Sequence, residues 1–482
     1  MPSGKKQPKN PLQSPQNEVI TEFTSSLPFD RELYFWDIVG SLAHVDALAE
    51  AGIVTQKEQK SLKSGLKSVL KSIQEGEAEL LLELEDIHMN VESLLSEEIG
   101  ALAGKLHTGR SRNDQGALDL RLYVRERVLE TLEELMEFQK VLIRIAKKNL
   151  GTIMPGMTHL QPAQPVSLAH HLMAYWFKMK RDFDRLVGCY ERLNFCPLGS
   201  GALSGSSYGI DRFELAKSLN FRGPTDNSMD SVSDRDFAVE SVFCLSLIME
   251  HLSSLAEEII LWNSPQFGFI HLSPDFTTGS SMMPQKRNPD IAELTRGKVG
   301  RVAGDLVSLL TVLKGLPLTY NRDLQEDKEP VFDAFDTAVD SLWAMRNLLS
   351  TAKFDSIRME EACKSSNLHA TDLADYLVGM GMPFREAYSL VKKMIEDSSG
   401  SGSSIDEWTI KDFQKYSTLF KDDVKGYLEL KNVMNRREVY GGTSEKSVGE
   451  SISLVDALAK EESSVIRKIR DDVEKPVLQL LR

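Results

Sequence analysis

Apolar positions along this chain recur with helical spacing almost everywhere, and no convincing run alternates apolar and polar residues as a half-buried strand would. The longest pattern runs from Ala117 to Leu150 without a Gly or a Pro. Within it Leu122, Leu129, Met136 and Ile143 recur at every seventh position, and Val128, Leu135 and Leu142 make a second row beside the first. Two adjacent apolar seams on one helix call for several packing neighbours, as inside a bundle. At about 1.5 Å per residue such a helix reaches roughly 50 Å.

A second helix is expected from Pro165 to Asn194. A third is expected from Asp236 to Trp262, with Ala238, Val242, Leu245, Met249, Leu252, Leu255 and Ile259 on one face. A fourth is expected to begin at Asn288-Pro289-Asp290, read as an N-cap residue, a proline at the first helical position and an acid at the positive end of the dipole. Gly297, Gly300 and Gly304 share one stripe of that helix. Glycine costs helix propensity, so the stripe predicts close approach by another helix. Between two polar helical stretches near the C-terminus, the Ser- and Gly-rich tract Asp397 to Ser404 reads as flexible, and no internal repeat is present.

At 482 residues the chain exceeds one compact core, and about three domains are expected. The organisation read from the pattern is all-α. A mobile N-terminal tail (1–17) precedes an N-terminal helical domain (18–111), a central long-helix bundle (112–363) and a C-terminal helical domain (364–482). Hydrophobic residues make up 41% and charged residues 27%, ordinary for a globular protein. Lys and Arg number 57 against 71 Asp and Glu, a net charge of −14 that disfavours nucleic acid as a partner while leaving room for a local basic pocket. No run of about 18 apolar residues suggests a membrane span, and the first residues lack the apolar stretch of a secretory signal. Cys189, Cys196, Cys244 and Cys363 are scattered, without the spacing of a zinc site, and read as buried, reduced thiols in a cytoplasmic protein.

The most specific chemistry lies in Gly279-Ser280-Ser281-Met282-Met283-Pro284-Gln285-Lys286-Arg287-Asn288-Pro289-Asp290. A Gly/Ser loop leads through a proline into polar side chains and a helix N-terminus, whose unpaired N–H groups favour anions. Lys286 adds a full positive charge. This string resembles the signature loop of the fumarase/aspartase superfamily, and its Gln-Lys-Arg-Asn-Pro-Asp ending resembles the argininosuccinate lyase version. Three further stretches extend the resemblance: Gly104 to Gln115 (GKLHTGRSRNDQ), Gly156 to Pro165 (GMTHLQPAQP) and Tyr320 to Lys328 (YNRDLQEDK). It reaches from about Phe23 to Gly441-Gly442-Thr443.

Membership of the argininosuccinate lyase family implies a carbon–nitrogen lyase without a cofactor or a metal. It would split argininosuccinate into arginine and fumarate by reversible anti elimination, in arginine biosynthesis or urea formation. Removing a proton beside a carboxylate builds a dianion, which needs preorganised donors and positive charge; Lys286, Asn288 and the adjoining helix N-terminus suit that task. By resemblance Ser280 takes the proton, with Ser281 the rival inside the loop. His159 handles the proton on the leaving-nitrogen side, oriented by Glu293. Substrate contacts carried over by position are Ser26, Asn113, Thr158, Asn288, Tyr320, Gln325 and Lys328, with Ser111, Arg112, Gln115, His88 and Arg235 added. Arg112 suits bidentate carboxylate binding. His88 reads equally as a solvated helix-end histidine, and Arg235 as a structural ion-pair residue. The resemblance further implies a homotetramer around a twenty-helix core, with sites assembled from different subunits.

Two departures stand out. Family members carry Trp-Gly-Gly-Arg-Phe where this chain has Asn10-Pro11-Leu12-Gln13-Ser14-Pro15, and many have histidine where Tyr388 follows Phe384-Arg385-Glu386-Ala387. Competing readings are another fumarate-releasing lyase of the superfamily, against which the His107–Gln115 segment argues, and a crystallin-like structural homologue with impaired activity.

Overall fold

The computed structural model describes residues 18–364, 367–401 and 404–482. The expected tail over 1–17, the departure at Asn10–Pro15 and part of the Ser/Gly tract lie outside them. The architecture is all-α. The helices that organise it are α1 (Tyr34–Glu50), α2 (Gln56–Gln74), α3 (Ile87–Ile99), α4 (Arg112–Lys148), α5 (Leu168–Leu193), α6 (Asp236–Asn263), α7 (Asp290–Leu313), α8 (Lys328–Thr351), α9 (Ser356–Lys364), α10 (Phe384–Ser401) and α11 (Glu445–Leu481).

Helix α4 is the spine. It starts five residues before the Gly- and Pro-free run because Ser111 and Asp114 form a capping box: the Ser111 hydroxyl accepts from Asn113 N–H and the Asp114 carboxylate from Ser111 N–H. That cap outweighs the penalty of Gly116 inside the first turns. Both predicted seams are covered, since Leu122, Val128, Leu129, Leu135, Leu142 and Ile143 are buried. They pack against α1, α5, α8 and α11. A second, smaller core joins Leu373, Leu377, Val391 and Met394 to Trp408, Phe413 and Phe420.

The expected boundaries shift where local hydrogen bonding decides. Residues Pro165 to Ser167 are not helical; α5 begins at Leu168, capped by the Ser167 hydroxyl accepting from His170 N–H. They belong to a β-hairpin that the periodicity did not reveal, β1 (Ile153–Thr158) against β2 (Gln161–Ser167). Its strands carry Pro155, Pro162 and Pro165 and a bulge at Gly156/Met157, which hide any alternation.

Helix α6 matches its expected span to one residue. By length and mean hydropathy it reaches the range of a membrane-crossing helix, which the apolar-run criterion did not flag, but it packs between α5, α7 and α8 in the bundle. Helix α7 starts at Asp290 with Pro289, not Asn288, at the cap position. Asn288 lies instead in a two-residue strand, β4 (Arg287–Asn288), paired with β3 (Thr278–Gly279). The Asp290 carboxylate turns back to accept from Thr278 N–H at 3.0 Å and so ties the helix start to the loop base. The Ser/Gly tract is helical as far as Ser401, with Ser399 donating back to the Ile395 carbonyl.

One buried carboxylate makes a stability prediction. Glu462 on α11 is 2% exposed, 3.4 Å from the Gln139 amide and 3.9 Å from Lys180 Nζ. Burial pushes its carboxyl up from 4.5 to about 7. A carboxyl raised in the folded state stabilises while neutral, and that contribution is lost as pH climbs from the unfolded value through the folded one. Glu462→Gln, which copies the neutral form, should leave the melting temperature unchanged near pH 5 and raise it near pH 8. A pH-independent difference would exclude ionisation as the cause.

Candidate active site

The residues singled out from the sequence fall into two groups, one at each end of the α6–α7 pair. The first surrounds the N-terminal ends of α3, α4 and α8. Ser26 is buried and donates to Asp30 Oδ2 at 2.5 Å, while Asp30 Oδ1 accepts from Ile87 N–H. Asp86 caps α3 through Met89 N–H and pairs with Arg112 Nε at 3.2 Å. Arg112 also donates to Gln115 Oε1 at 2.9 Å, and Asn113 Nδ2 donates to the Ala202 carbonyl. Gln325 Nε2 reaches the Thr24 carbonyl, next to Ser26, and Arg322 bridges that carbonyl to Glu85.

Arg235 and Lys328 both grip Asp327, which is fully buried. Burial pushes the Asp327 carboxyl up, but the charges of Lys328 and Arg235 outweigh it and hold it below the ordinary range. Burial followed by the charge of Asp327 raises the Tyr320 phenol, which sits among Asp327, Arg322, Arg235 and Asp86. Ser26, Ser111, Arg112, Asn113, Gln115, Arg235, Tyr320, Gln325 and Lys328 are therefore brought to one end of the chain's bundle. His88 lies beneath them, 4% exposed, so it is no solvated helix-end residue. Its Nδ1 is 3.2 Å from Asp37 Oδ1 and 3.3 Å from Asp119 Oδ2. The ligating atoms of these three side chains lie within 4.8 Å of one another, but the buried Arg110 guanidinium beside them already supplies compensating positive charge.

The second group stands on two hairpins. Ser280 opens the loop between β3 and β4, and its hydroxyl accepts from Met282 N–H at 3.2 Å and Met283 N–H at 3.1 Å. Ser281 and Lys286 in the same loop are exposed. His159 and Leu160 form the two-residue turn of the β1–β2 hairpin, both at φ 56°. That is a turn with two left-handed positions, which non-glycine residues adopt only under strain. Thr158 precedes it at the end of β1. The hairpin packs on α9 and shares a groove with Phe267 and Phe269, just past the C-terminal end of α6. Among the described residues, the side chains of His159, Lys286, Asn288 and Glu293 make no hydrogen bond or ion pair.

The two groups are far apart. Helix α7 has 24 residues and is about 36 Å long, with Asn288 two residues before its start and Tyr320 seven residues beyond its end. Helix α6 has 28, so about 42 Å separates Arg235 from the residues leading into the Ser280 loop.

Asp30, Asp37, Asp119 and Asp327 were not singled out from sequence. Asp327 lay inside a motif already in view; the others carry no local signal, because only the packing of α1 against α3 and α4, and of the short segment ending at Asp30 against the start of α3, brings them to the site.

Residues 11–304 match the lyase family, and residues 367–435 match the argininosuccinate lyase C-terminal family. Among curated proteins the chain is 46% identical over 446 residues to the argininosuccinate lyase of Ruminiclostridium cellulolyticum, covering 92% of this chain and 97% of that protein. It is 49% identical over 439 residues to that of Campylobacter hominis, covering 91% and 95%. Among solved structures, EDDS lyase in complex with formate superposes with a TM-score of 0.85 at 28% identity, covering 97% of this chain and 94% of that one. The class II fumarase of Schistosoma mansoni shares the fold alone, at a TM-score of 0.68 and 17% identity over 85% and 93%. Long helices carrying the signature loop at one end define a helical lyase of the fumarase/aspartase superfamily. Within that class, the chain belongs to the argininosuccinate lyase family. It is accordingly an enzyme, a carbon–nitrogen lyase.

Proposed function

We propose that the chain catalyses reversible anti elimination of argininosuccinate to arginine and fumarate, with Ser280 as the base. The observation that carries this reading is the pair of backbone N–H groups directed at the Ser280 hydroxyl. A serine is a poor base unless its anion is stabilised, and two fixed donors with Lys286 in the same loop provide that stabilisation. Among the described residues, no backbone N–H is directed at the hydroxyl of Ser281. Lys286, Asn288 and the first turn of α7 meet the substrate carboxylate and then the dianion formed on proton removal. His159, oriented by Glu293, manages the proton on the departing nitrogen. Ser26, Ser111, Arg112, Asn113, Gln115, Thr158, Tyr320, Gln325 and Lys328 hold the remaining charges of the substrate. Arg235 and His88 support that wall from beneath.

A complete site then requires more than one chain. No ligand of amino-acid size spans the roughly 36 Å length of α7 that lies between the Asn288 end and the Tyr320 end. The Gly297, Gly300 and Gly304 stripe supports assembly: a Cβ added at any of them would meet nothing within 4 Å, so the predicted close approach is not made among the described residues of this chain. Along the same helix Leu294, Val307 and Leu310 are 59%, 62% and 52% exposed, an apolar face that a partner's helix would cover. A homotetramer with shared sites accounts for both facts. Buried, unpaired thiols at Cys189, Cys196, Cys244 and Cys363 support a reducing, cytoplasmic setting.

The direct test follows the ultraviolet absorbance of fumarate when argininosuccinate is added, with arginine quantified in parallel. Equimolar fumarate and arginine are expected. No release, or fumarate formed only from another amino-acid adduct, would overturn the substrate assignment and favour an inactive or differently directed homologue.

A further inference from the structure

A buried polar cluster lies beneath the first group of residues, and the elimination chemistry does not use it. Asp37 on α1 is 1% exposed, and its Oδ1 accepts from Gln115 Nε2 at 2.5 Å while lying 3.2 Å from His88 Nδ1. Asp119, one turn further along α4 than Gln115, has the same imidazole at 3.3 Å and no other donor. The juxtaposition depends on close helix packing. A Cβ on Gly40, one turn beyond Asp37, would come within 2.8 Å of Leu118 Cδ2, so any larger residue there would have to displace the Leu118 side chain where α1 meets α4.

The two carboxylates are not equivalent. Burial pushes Asp37 up, but the close approach and charge of His88, then the charge of Arg110 and the hydrogen bond from Gln115, outweigh it and hold the carboxyl well below its ordinary range. For Asp119 burial and the neighbouring charge of Asp37 act in the same direction and raise the carboxyl well above its ordinary range, against the charges of His88, Arg110 and Arg112. Gln115 is thus fastened to a buried anion from below. Its own Oε1 accepts from Arg112 at 2.9 Å, and Arg112 is steadied on its other side by Asp86 at 3.2 Å.

We propose that Asp37 is a positioning residue for substrate recognition: its carboxylate fixes the Gln115 amide, and through Gln115 it sets the direction of the Arg112 guanidinium. Asp37 touches no substrate itself. The inference rests on the reading that Gln115 and Arg112 contact the substrate. An amide whose orientation is locked by a charge-assisted hydrogen bond presents its acceptor to Arg112 without loss of rotamer freedom on binding.

Steady-state kinetics on the full-length enzyme test it, with wild type, Asp37→Asn, Gln115→Ala and the double variant compared alongside Asp119→Asn. Asp37→Asn should raise KM for argininosuccinate about tenfold or more while kcat stays within about threefold, because uniform binding is lost and the reacting end is untouched. The double variant should be no worse than Gln115→Ala alone, since both act through one amide. Asp119→Asn, at a carboxyl that accepts nothing from Gln115, should leave KM within about twofold. A normal KM in Asp37→Asn, additive effects in the double variant, or equal losses in Asp37→Asn and Asp119→Asn would each overturn the proposal. Should Asp37→Asn fail to fold, Asp37→Glu keeps the charge and displaces it by a methylene; a raised KM supports the proposal and an unchanged KM overturns it. The two assignments fail separately. A silent Gln115→Ala removes the substrate-contact reading on which the inference rests, whereas a damaged Gln115→Ala beside a silent Asp37→Asn removes the positioning role alone.

Discussion

Ser280→Ala should reduce elimination by about 100- to 10,000-fold while argininosuccinate still binds with near-normal affinity. The substituted hydroxyl acts only on the proton being removed, whereas the substrate's charges are held by Asn113, Tyr320, Gln325 and their neighbours at the other end of the bundle. An interaction made only in the transition state appears in the rate and not in ground-state binding. Ser281→Ala should cost far less, because the backbone donors of Met282 and Met283 are aimed at Ser280 and not at its exposed neighbour. Lys286→Ala should weaken both binding and rate, since its charge meets a carboxylate first and a dianion later. Turnover measured with calorimetric binding on the three variants decides among these. Near-normal turnover in Ser280→Ala would end the assignment, and an inactive Ser281→Ala with normal binding would pass the role to that residue.

Mixing two inactive variants should restore activity. Ser280→Ala removes a group at one end of α7, and Asn113→Ala removes one from the group at the far end. If each site draws these ends from different chains, a hybrid of the two carries some sites with both groups intact. Random reassembly of equal amounts into symmetric tetramers gives about a quarter of the native sites. His159→Asn mixed with Ser280→Ala tests in the same way whether the two hairpins also come from different subunits. Reversible dissociation, mixing and assay provide the measurement, with hybrid formation verified by mass. Verified hybrids without activity would mean that the ends of α7 do not meet through assembly, as would an active species of 54.0 kDa in light scattering.

The long helices were legible because their signal is local. A seam of Leu122, Leu129, Met136 and Ile143 states both the period and the need for neighbours, and the start of α6 sits where Asp236 was expected. The chemistry-bearing loops were legible for a different reason: Gly279–Asp290 and Gly156–Pro165 combine residue types in an order specific enough to carry a family resemblance. Boundaries fared worse wherever a side chain competed with periodicity. Ser111 with Asp114 pulled α4 back past Gly116, and pairing of Asn288 with Thr278 took that residue out of the cap position it was expected to hold. The β1–β2 hairpin escaped notice because a turn of His159 and Leu160 lacks the Asn-Gly or Asp-Gly signal that such backbone angles usually require.

By itself, then, the sequence determined the all-α class, the central bundle's longest helices and the residue types available for elimination. These depend on spacing and identity along the chain. Only the tertiary structure decided that Asn288 and Tyr320 stand a helix length apart, that His159 occupies a strained turn, and that Asp37, His88 and Asp119 meet in one buried cluster. Distance between residues remote in sequence is set by how helices pack, through contacts such as Gly40 against Leu118, and no local pattern records it.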